Sequence, residues 1–260
     1  MPFDPVPAAK ALLRIRRDRA TVSPLPADIA PATPAEGAAV QFALAGLVAA
    51  IPPAGFKIGA TGKRMQVYLG VDAPIAGFMR FEDVHRFHAD LRFGDFIKPG
   101  VECEVAVRLS RDLPPGRCSL EQACAAAGDF FAGIEIVENR YGDLAELGTP
   151  TLVADQMYHC AAVVGDDHGI DWRRLDIAAL RGRISLNDGT SDEGVTSDLL
   201  GHPLNGLAWL AGSAEAAAFG GLKAGQVVML GSVTPPIWLT GPATVTVAFP
   251  PLPDVTVRLR

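Results

Sequence analysis

The chain opens on two stretches of helical spacing and then changes texture. Ala11, Leu12 and Ile15 lie on one side of residues 8–19, opposite Arg14, Arg16, Arg17 and Arg19, which predicts a short helix with a solvated basic face. A link carrying Pro24, Pro26 and Pro31 follows. Thr33 with Glu36 three residues on then forms a capping box, and Pro34 takes the first helical position. That helix should run to about residue 49 or 50, where Ile51-Pro52-Pro53 stops it. Residues 1–52 are thus expected to form an N-terminal helical region, and residues 53–260 a strand-rich remainder that works as one functional unit.

Beyond residue 52 the pattern favours strands. Short apolar or alternating runs at 55–59, 102–109, 134–137, 161–164, 227–230, 243–249 and 255–259 are expected to be strands. Turn signals close several of them, among them Asp112-Leu113-Pro114-Pro115-Gly116, Gly165-Asp166-Asp167 and Lys223-Ala224-Gly225. Ser119 with Gln122 forms a second capping box, opening a helix that ends near Gly128. Leu207, Leu210 and Ala214 give residues 203–219 the spacing of one amphipathic helix. Helices interrupt strands irregularly, which is an α+β pattern rather than a βαβ alternation. The chain contains no internal repeat, P-loop or GxGxxG.

Composition narrows the function classes. The 260 residues are 49% hydrophobic and 20% charged, enough to bury a substantial core. A net charge of −6, with 23 Lys and Arg in no long run, argues against nucleic acid. No apolar stretch reaches membrane-spanning length, and the start, Met1-Pro2-Phe3-Asp4, lacks the apolar segment of a signal peptide. Cys103, Cys118, Cys124 and Cys160 form neither a CxxC pair nor zinc spacing, so reduced thiols in a cytoplasmic protein are expected.

The informative anomaly is acid inside apolar runs. Glu102 and Glu104 lie in Val101-Glu102-Cys103-Glu104-Val105-Ala106-Val107, and Glu135 in Gly133-Ile134-Glu135-Ile136-Val137. Residues two apart in a strand face the same way, so Glu102 and Glu104 should share one face and Cys103 the other. Two carboxylates that close repel unless a cation compensates them. Oxygen donors of this kind suit Mg²⁺ or Mn²⁺, whereas zinc would want His or Cys. An edge strand with two solvated acids would also account for the Glu-x-Glu pair. A lone acid within Ile-Glu-Ile-Val is harder to place on a surface.

These segments carry a resemblance. Gly55-Phe56-Lys57-Ile58-Gly59, Leu69-Gly70-Val71-Asp72, Glu102-Cys103-Glu104 and Glu135-Ile136-Val137-Glu138-Asn139-Arg140 resemble the 2-keto-4-pentenoate hydratase family of the fumarylacetoacetate hydrolase superfamily. So do Pro203-Leu204-Asn205, Ala208-Trp209-Leu210-Ala211, Leu222-Lys223-Ala224-Gly225 and Gly231-Ser232-Val233-Thr234, in order, from about residue 33 onward. The resemblance implies a mixed β-roll with an N-terminal helical region, and Mg²⁺ or Mn²⁺ held by Glu102, Glu104 and Glu135. The implied substrate is a 2-hydroxy-2,4-dienoate or its 2-oxo tautomer, chelating the metal through its carboxylate and 2-oxygen. The metal would polarise the 2-oxygen and stabilise the enolate; ketonisation then makes the distant double bond an acceptor for water. The same electron sink would serve a 2-oxo-3-enedioate decarboxylase of this lineage. The resemblance also implies a homo-oligomer, with association with a pathway enzyme as a further expectation.

Lys57 matches the family lysine, a cation or proton donor beside the substrate oxygens, although a solvated lysine on an edge strand would look the same. Ser232 and Thr234 are expected on the loop after strand 227–230, where they could bind the substrate carboxylate. Arg140 matches a family arginine that would pair with a carboxylate near the metal and help bind substrate. The chain departs from the family in two places. The acid expected after Gly77-Phe78-Met79 is split between Glu82 and Asp83, which could equally be surface charges. Where the hydratases carry small residues, this chain has Tyr158 and His159. Tyr158 would shape the pocket; His159 is a candidate for proton transfer or a structural residue. His85, His88, His168 and His202 are expected on loops or the surface. A second carboxylate on the substrate would need a cation at the distal end of the pocket, for which Arg80 is the candidate. A C–C bond hydrolase would bring an Asn-Tyr-x-x-His-x-x-Glu-like segment that this chain lacks, and a non-catalytic partner protein would not need intact Glu102, Glu104, Glu135 and Lys57.

Overall fold

The computed structural model describes residues 2–19, 21, 24–142, 147–166 and 169–260. Asp167 and His168 lie outside the described residues. The helices are α1 (Pro5–Asp18), α2 (Pro34–Leu47), α3 (Lys63–Leu69), α4 (Leu120–Ala126), α5 (Gly148–Ala154), α6 (Pro203–Ala211) and α7 (Ala214–Ala218). The strands before residue 110 are β1 (Gly55–Gly59), β2 (Ile75–Met79), β3 (Val84–Arg86), β4 (His88–Leu91) and β5 (Pro99–Leu109). Those after it are β6 (Ala127–Glu138), β7 (His159–Val164), β8 (Arg181–Leu186), β9 (Ser191–Val195), β10 (Val227–Ser232), β11 (Ile237–Trp238), β12 (Ala243–Phe249) and β13 (Leu252–Leu259).

Both predicted capping boxes form. Thr33 and Glu36 satisfy each other's backbone N–H groups at the start of α2, and Ser119 and Gln122 do so at the start of α4. The helix expected over 203–219 is two helices: the chain breaks at Gly212-Ser213, and the Ser213 hydroxyl accepts from Ala216 N to cap α7. Strands missed in the sequence include β8 and β9, which carry mostly polar or small residues: β9 is the edge of its sheet, and β8, between β12 and β9, buries only Gly182 and Ile184. The basic face of α1 is not wholly solvated. Arg16 reaches across the fold to the buried Asp155, Nη2 to Oδ1 at 2.7 Å.

The larger sheet runs β2-β1-β10-β5-β6-β7-β3, with β11 also on β5. It curls until β2 approaches β7. Its outer face, with Val101, Cys103, Val105, Val107, Ile134 and Ile136, packs into the main core against the second sheet, β4-β13-β12-β8-β9, and the helices. Its inner face holds a separate apolar cluster of Met79, Ala106, Phe131, Ala162, Val164, Val227 and Met229. Register puts Lys57 beside Met229, Met229 beside Ala106, and Glu135 beside Ala162, so the site residues share that inner face, next to the apolar floor. Among the described residues no helix is long and apolar enough to cross a membrane.

Candidate metal centre

Neither edge-strand alternative holds. β5 lies between β10 and β6, and β1 between β2 and β10. Lys57 is 1% exposed, Glu104 and Glu135 are fully buried, and Glu102 is half-buried. Glu102 and Glu104 alternate with Cys103 along β5, and register pairs Glu102 with Glu135 and Glu104 with Gly133. The three carboxylates thereby offer oxygens all within 4.8 Å of one another.

Two strand irregularities finish the arrangement. β10 carries an extra residue between Met229 and Ser232, and there the N–H of Gly231 donates to Glu104 Oε2 at 3.0 Å. Gly231 has φ 111°, and a β-carbon on it would lie 2.2 Å from Thr61 Oγ1, so only glycine fits. β7 carries an extra residue opposite Val137, which re-aims His159 into the site. Its Nδ1 lies 2.8 Å from Glu135 Oε1, and Lys57 Nζ lies 3.1 Å from the same oxygen.

One ammonium cannot offset three ionised carboxylates this close together. Burial, and then the charge of Glu135, pushes the Glu102 carboxyl up to about 8. Burial and the neighbouring Glu135 and Glu102 push Glu104 well up. Burial pushes Glu135 up too, but Lys57 and the His159 hydrogen bond outweigh it and hold that carboxyl below its ordinary value. Glu104 Oε1 and Glu135 Oε2 are buried without hydrogen-bond partners. Orphaned carboxylate oxygens aimed at two other carboxylates are a donor set for a hard divalent cation, so the residues present fit Mg²⁺ or Mn²⁺.

The remaining candidates are distributed unevenly. Ser232 ends β10 rather than lying on a loop, and its hydroxyl is engaged with the backbone of Cys103 and Thr234. Thr234 Oγ1 is buried with no hydrogen-bond partner. Arg140 does pair with carboxylates, but with those of Glu138 and Asp155, at 3.2 and 3.0 Å, and it donates to the His159 carbonyl at 2.7 Å. That buried guanidinium braces the two carboxylates and the His159 backbone. Glu82 is 69% exposed, and both Glu82 and Asp83 pair with Arg80 rather than with any of the three glutamates. Tyr158 is buried with its ring 6.2 Å from that of Tyr141. Burial raises the thiols of Cys103 and Cys160, the latter to about 12, as expected of unreactive cysteines.

The segment just before His159 is backbone that residues with a β-carbon rarely adopt. Gln156, Met157 and Tyr158 have φ of 56°, 49° and 66°. At about 1–2 kcal/mol for each such residue, the turn carries roughly 3–6 kcal/mol of strain. Asp155, at its start, was missed in the sequence. The signal was there: an acid directly after Thr151-Leu152-Val153-Ala154, in the same kind of apolar setting that exposed Glu135.

No family model matches the chain. It is 34% identical over 186 residues to the 2-hydroxyhexa-2,4-dienoate hydratase of Comamonas testosteroni, covering 70% of this chain and 68% of that protein. It is 30% identical over 181 residues to a 2-keto-4-pentenoate hydratase of Burkholderia vietnamiensis, covering 70% and 68%. Among solved structures, the 4-oxalocrotonate decarboxylase of Pseudomonas putida G7, complexed with magnesium and adipate, superposes with a TM-score of 0.87 over 98% of this chain and 97% of that one, at 22% identity.

Proposed function

The chain belongs to the 2-keto-4-pentenoate hydratase family of the fumarylacetoacetate hydrolase superfamily, and from that premise we propose that it is a metal-dependent lyase that hydrates a 2-hydroxy-2,4-dienoate in the breakdown of aromatic compounds. The observation that carries the reading is the cluster of Glu102, Glu104 and Glu135 on the enclosed face, with Lys57 on Glu135. Those three carboxylates would hold Mg²⁺ or Mn²⁺, which when bound supplies a Lewis acid for a 2-oxo or 2-hydroxy acid.

The chain's own groups do the rest. Lys57 brings a buried positive charge and a proton to the side where the substrate's oxygens would lie. Thr234 Oγ1, buried without a hydrogen-bond partner, would donate to the substrate carboxylate, a part its engaged neighbour Ser232 is less free to play. Glu135 accepts from His159 Nδ1, which puts the imidazole proton on that nitrogen and leaves the Nε2 lone pair, buried and unpartnered, to take a proton from attacking water. Tyr158, buried just before His159, would shape the pocket, and the apolar floor limits stray water around the site. Glu82 and Asp83, expected as acid–base groups, are assigned instead to holding Arg80.

That pairing favours hydration over decarboxylation of an enedioate. Arg80 Nε and Nη2 each lie 2.6 Å from an Asp83 oxygen, and Glu82 pairs with the same guanidinium, so its charge is already compensated. We expect the ultraviolet band of 2-hydroxypenta-2,4-dienoate to decay with the protein and Mg²⁺ and to persist when the metal is chelated, with no CO₂ released from 2-oxo-3-hexenedioate. Metal-dependent CO₂ release with a stable dienoate band would replace this reading with the decarboxylase.

Metal binding should also release protons. With its carboxyl held near 8, Glu102 is largely protonated at pH 7 in the metal-free protein, and Glu104 is shifted in the same direction. Mn²⁺ must displace the proton on Glu102, so its affinity should rise with pH through about 8. Calorimetric titrations of Mn²⁺ at pH 7 in buffers of different ionisation enthalpy measure the release directly; a heat independent of buffer would contradict it. We also propose a homo-oligomer, supported by the exposed Phe42, Leu47 and Ile51 on and just after α2, and a cytoplasmic location, supported by four free cysteines. Association with a pathway enzyme is proposed on the family resemblance alone.

A further inference from the structure

Left-handed backbone at three successive residues with β-carbons persists only where the surroundings over-determine it. Gln156–158 is held from three directions. The first is the floor beneath it: a β-carbon on Gly59 would lie 2.6 Å from Met157 Cγ, and one on Gly77 would lie 2.7 Å from Gln156 Cβ, so two missing side chains make the room. The second is Gln156 itself, whose Nε2 donates to the Phe78 carbonyl.

The third is ionic and brackets the turn at both ends. Asp155, fully buried, precedes the turn, and His159 follows it. Arg140 binds Asp155 Oδ2 at 3.0 Å and the His159 carbonyl at 2.7 Å, so one guanidinium ties the two ends together. Arg16 of α1, 139 residues distant in sequence, binds the other oxygen, Asp155 Oδ1, at 2.7 Å. Burial alone would push the Asp155 carboxyl up; Arg140 and Arg16 hold it below its ordinary value instead. Beyond the turn, His159 lies against Glu135.

We infer that Arg16 is a positioning residue: with Asp155 and Arg140 it holds the left-handed turn that sets His159 against Glu135, and so fixes one of the three metal-binding carboxylates. This rests on the reading of the three glutamates as a metal centre. The role belongs to Arg16 and not to the docking of α1 in general. The helix is anchored by Ala8, Ala9 and Leu12, and its other long-range cation, Arg19, reaches Gly94 and Asp95 near the surface.

The test compares full-length wild type, Arg16→Met, Arg16→Lys and Arg19→Ala by calorimetric titration with Mn²⁺ and by hydration kinetics. Partners that orient a metal ligand are worth about 10–100-fold. Arg16→Met is therefore expected to weaken Mn²⁺ on the order of tenfold and to lower kcat by a similar factor, with KM changed little. Arg16→Lys should recover part of both, since an ammonium restores the charge but not the fork. Arg19→Ala should match wild type. Adding Met157→Gly to Arg16→Met should recover Mn²⁺ affinity, because glycine adopts the left-handed conformation without strain. Wild-type Mn²⁺ affinity in Arg16→Met, or equal losses in Arg19→Ala, overturns the inference. Should Arg16→Met fail to fold, wild-type affinity in Arg16→Lys overturns it as well. Wild type that binds no Mn²⁺ overturns the metal-centre reading itself, and this inference falls with it.

Discussion

Glu135→Gln should weaken Mn²⁺ binding by about a hundredfold or more, the largest loss expected at any single position. Partners that only orient a ligand are worth about 10–100-fold, and a ligand that is also the pivot of the site should reach or exceed the top of that range. Glu135 is that pivot: its Oε1 takes Lys57 at 3.1 Å and His159 at 2.8 Å, while its Oε2 is left for the cation. Glutamine keeps the shape and removes the charge. The metal loses an anionic ligand and meets Lys57 without the carboxylate that compensated it. Stability should suffer less. Breaking a buried ion pair costs about 3–5 kcal/mol when the surviving charge has no alternative. Here Lys57 still has Glu102 and Glu104 nearby, and both ionise more readily once Glu135 no longer repels them. The melting temperature of the metal-free variant should therefore fall modestly while metal affinity collapses. Mn²⁺ affinity equal to wild type would remove Glu135 from the ligand set.

The contrast between what was and was not legible in the sequence follows from range. Glu102, Glu104 and Glu135 were readable because an acid within an apolar strand conflicts with its own neighbours, and strand alternation says which acids share a face. Gly55 to Gly59 was readable as a strand for the same local reason. The placement of His159 was not, because it depends on one extra residue in β7, and a bulge leaves no mark in hydrophobic alternation. Nor was the donation from Gly231 to Glu104, which needs a second bulge in β10. Arg16 looked like one of four arginines on a wet helix face, since the carboxylate it meets lies 139 residues away. The partners of Arg140 and Glu82 were equally out of reach: one pairs with Asp155 and Glu138 and the other with Arg80, and no spacing in the chain announces those pairings.

Lys57→Met should separate binding from chemistry in the opposite sense to Glu135→Gln. Methionine keeps much of the buried volume and removes the ammonium, which touches Glu135 and lies on the side where the substrate would enter. Two effects compete on the metal. Glu135 loses a hydrogen bond that helps orient it, which weakens binding; but a positive charge beside a divalent cation is also removed, which strengthens it. His159 still holds the same Glu135 oxygen, so orientation is largely preserved and the electrostatic gain should win. Mn²⁺ affinity is therefore expected to stay level or tighten. The rate has no such compensation. A positioned proton donor or acceptor contributes about 10²–10⁴-fold, and nothing else on the described inner face offers a second ammonium, so kcat should drop by that order. The metal-free variant should also melt earlier, because the buried Glu135 carboxylate then loses its ammonium partner. Added Mn²⁺ should restore the melting temperature without restoring turnover. If Mn²⁺ affinity instead falls in step with kcat, Lys57 serves the carboxylate cluster and not the substrate, and the proton-donor role assigned to it must pass to another group.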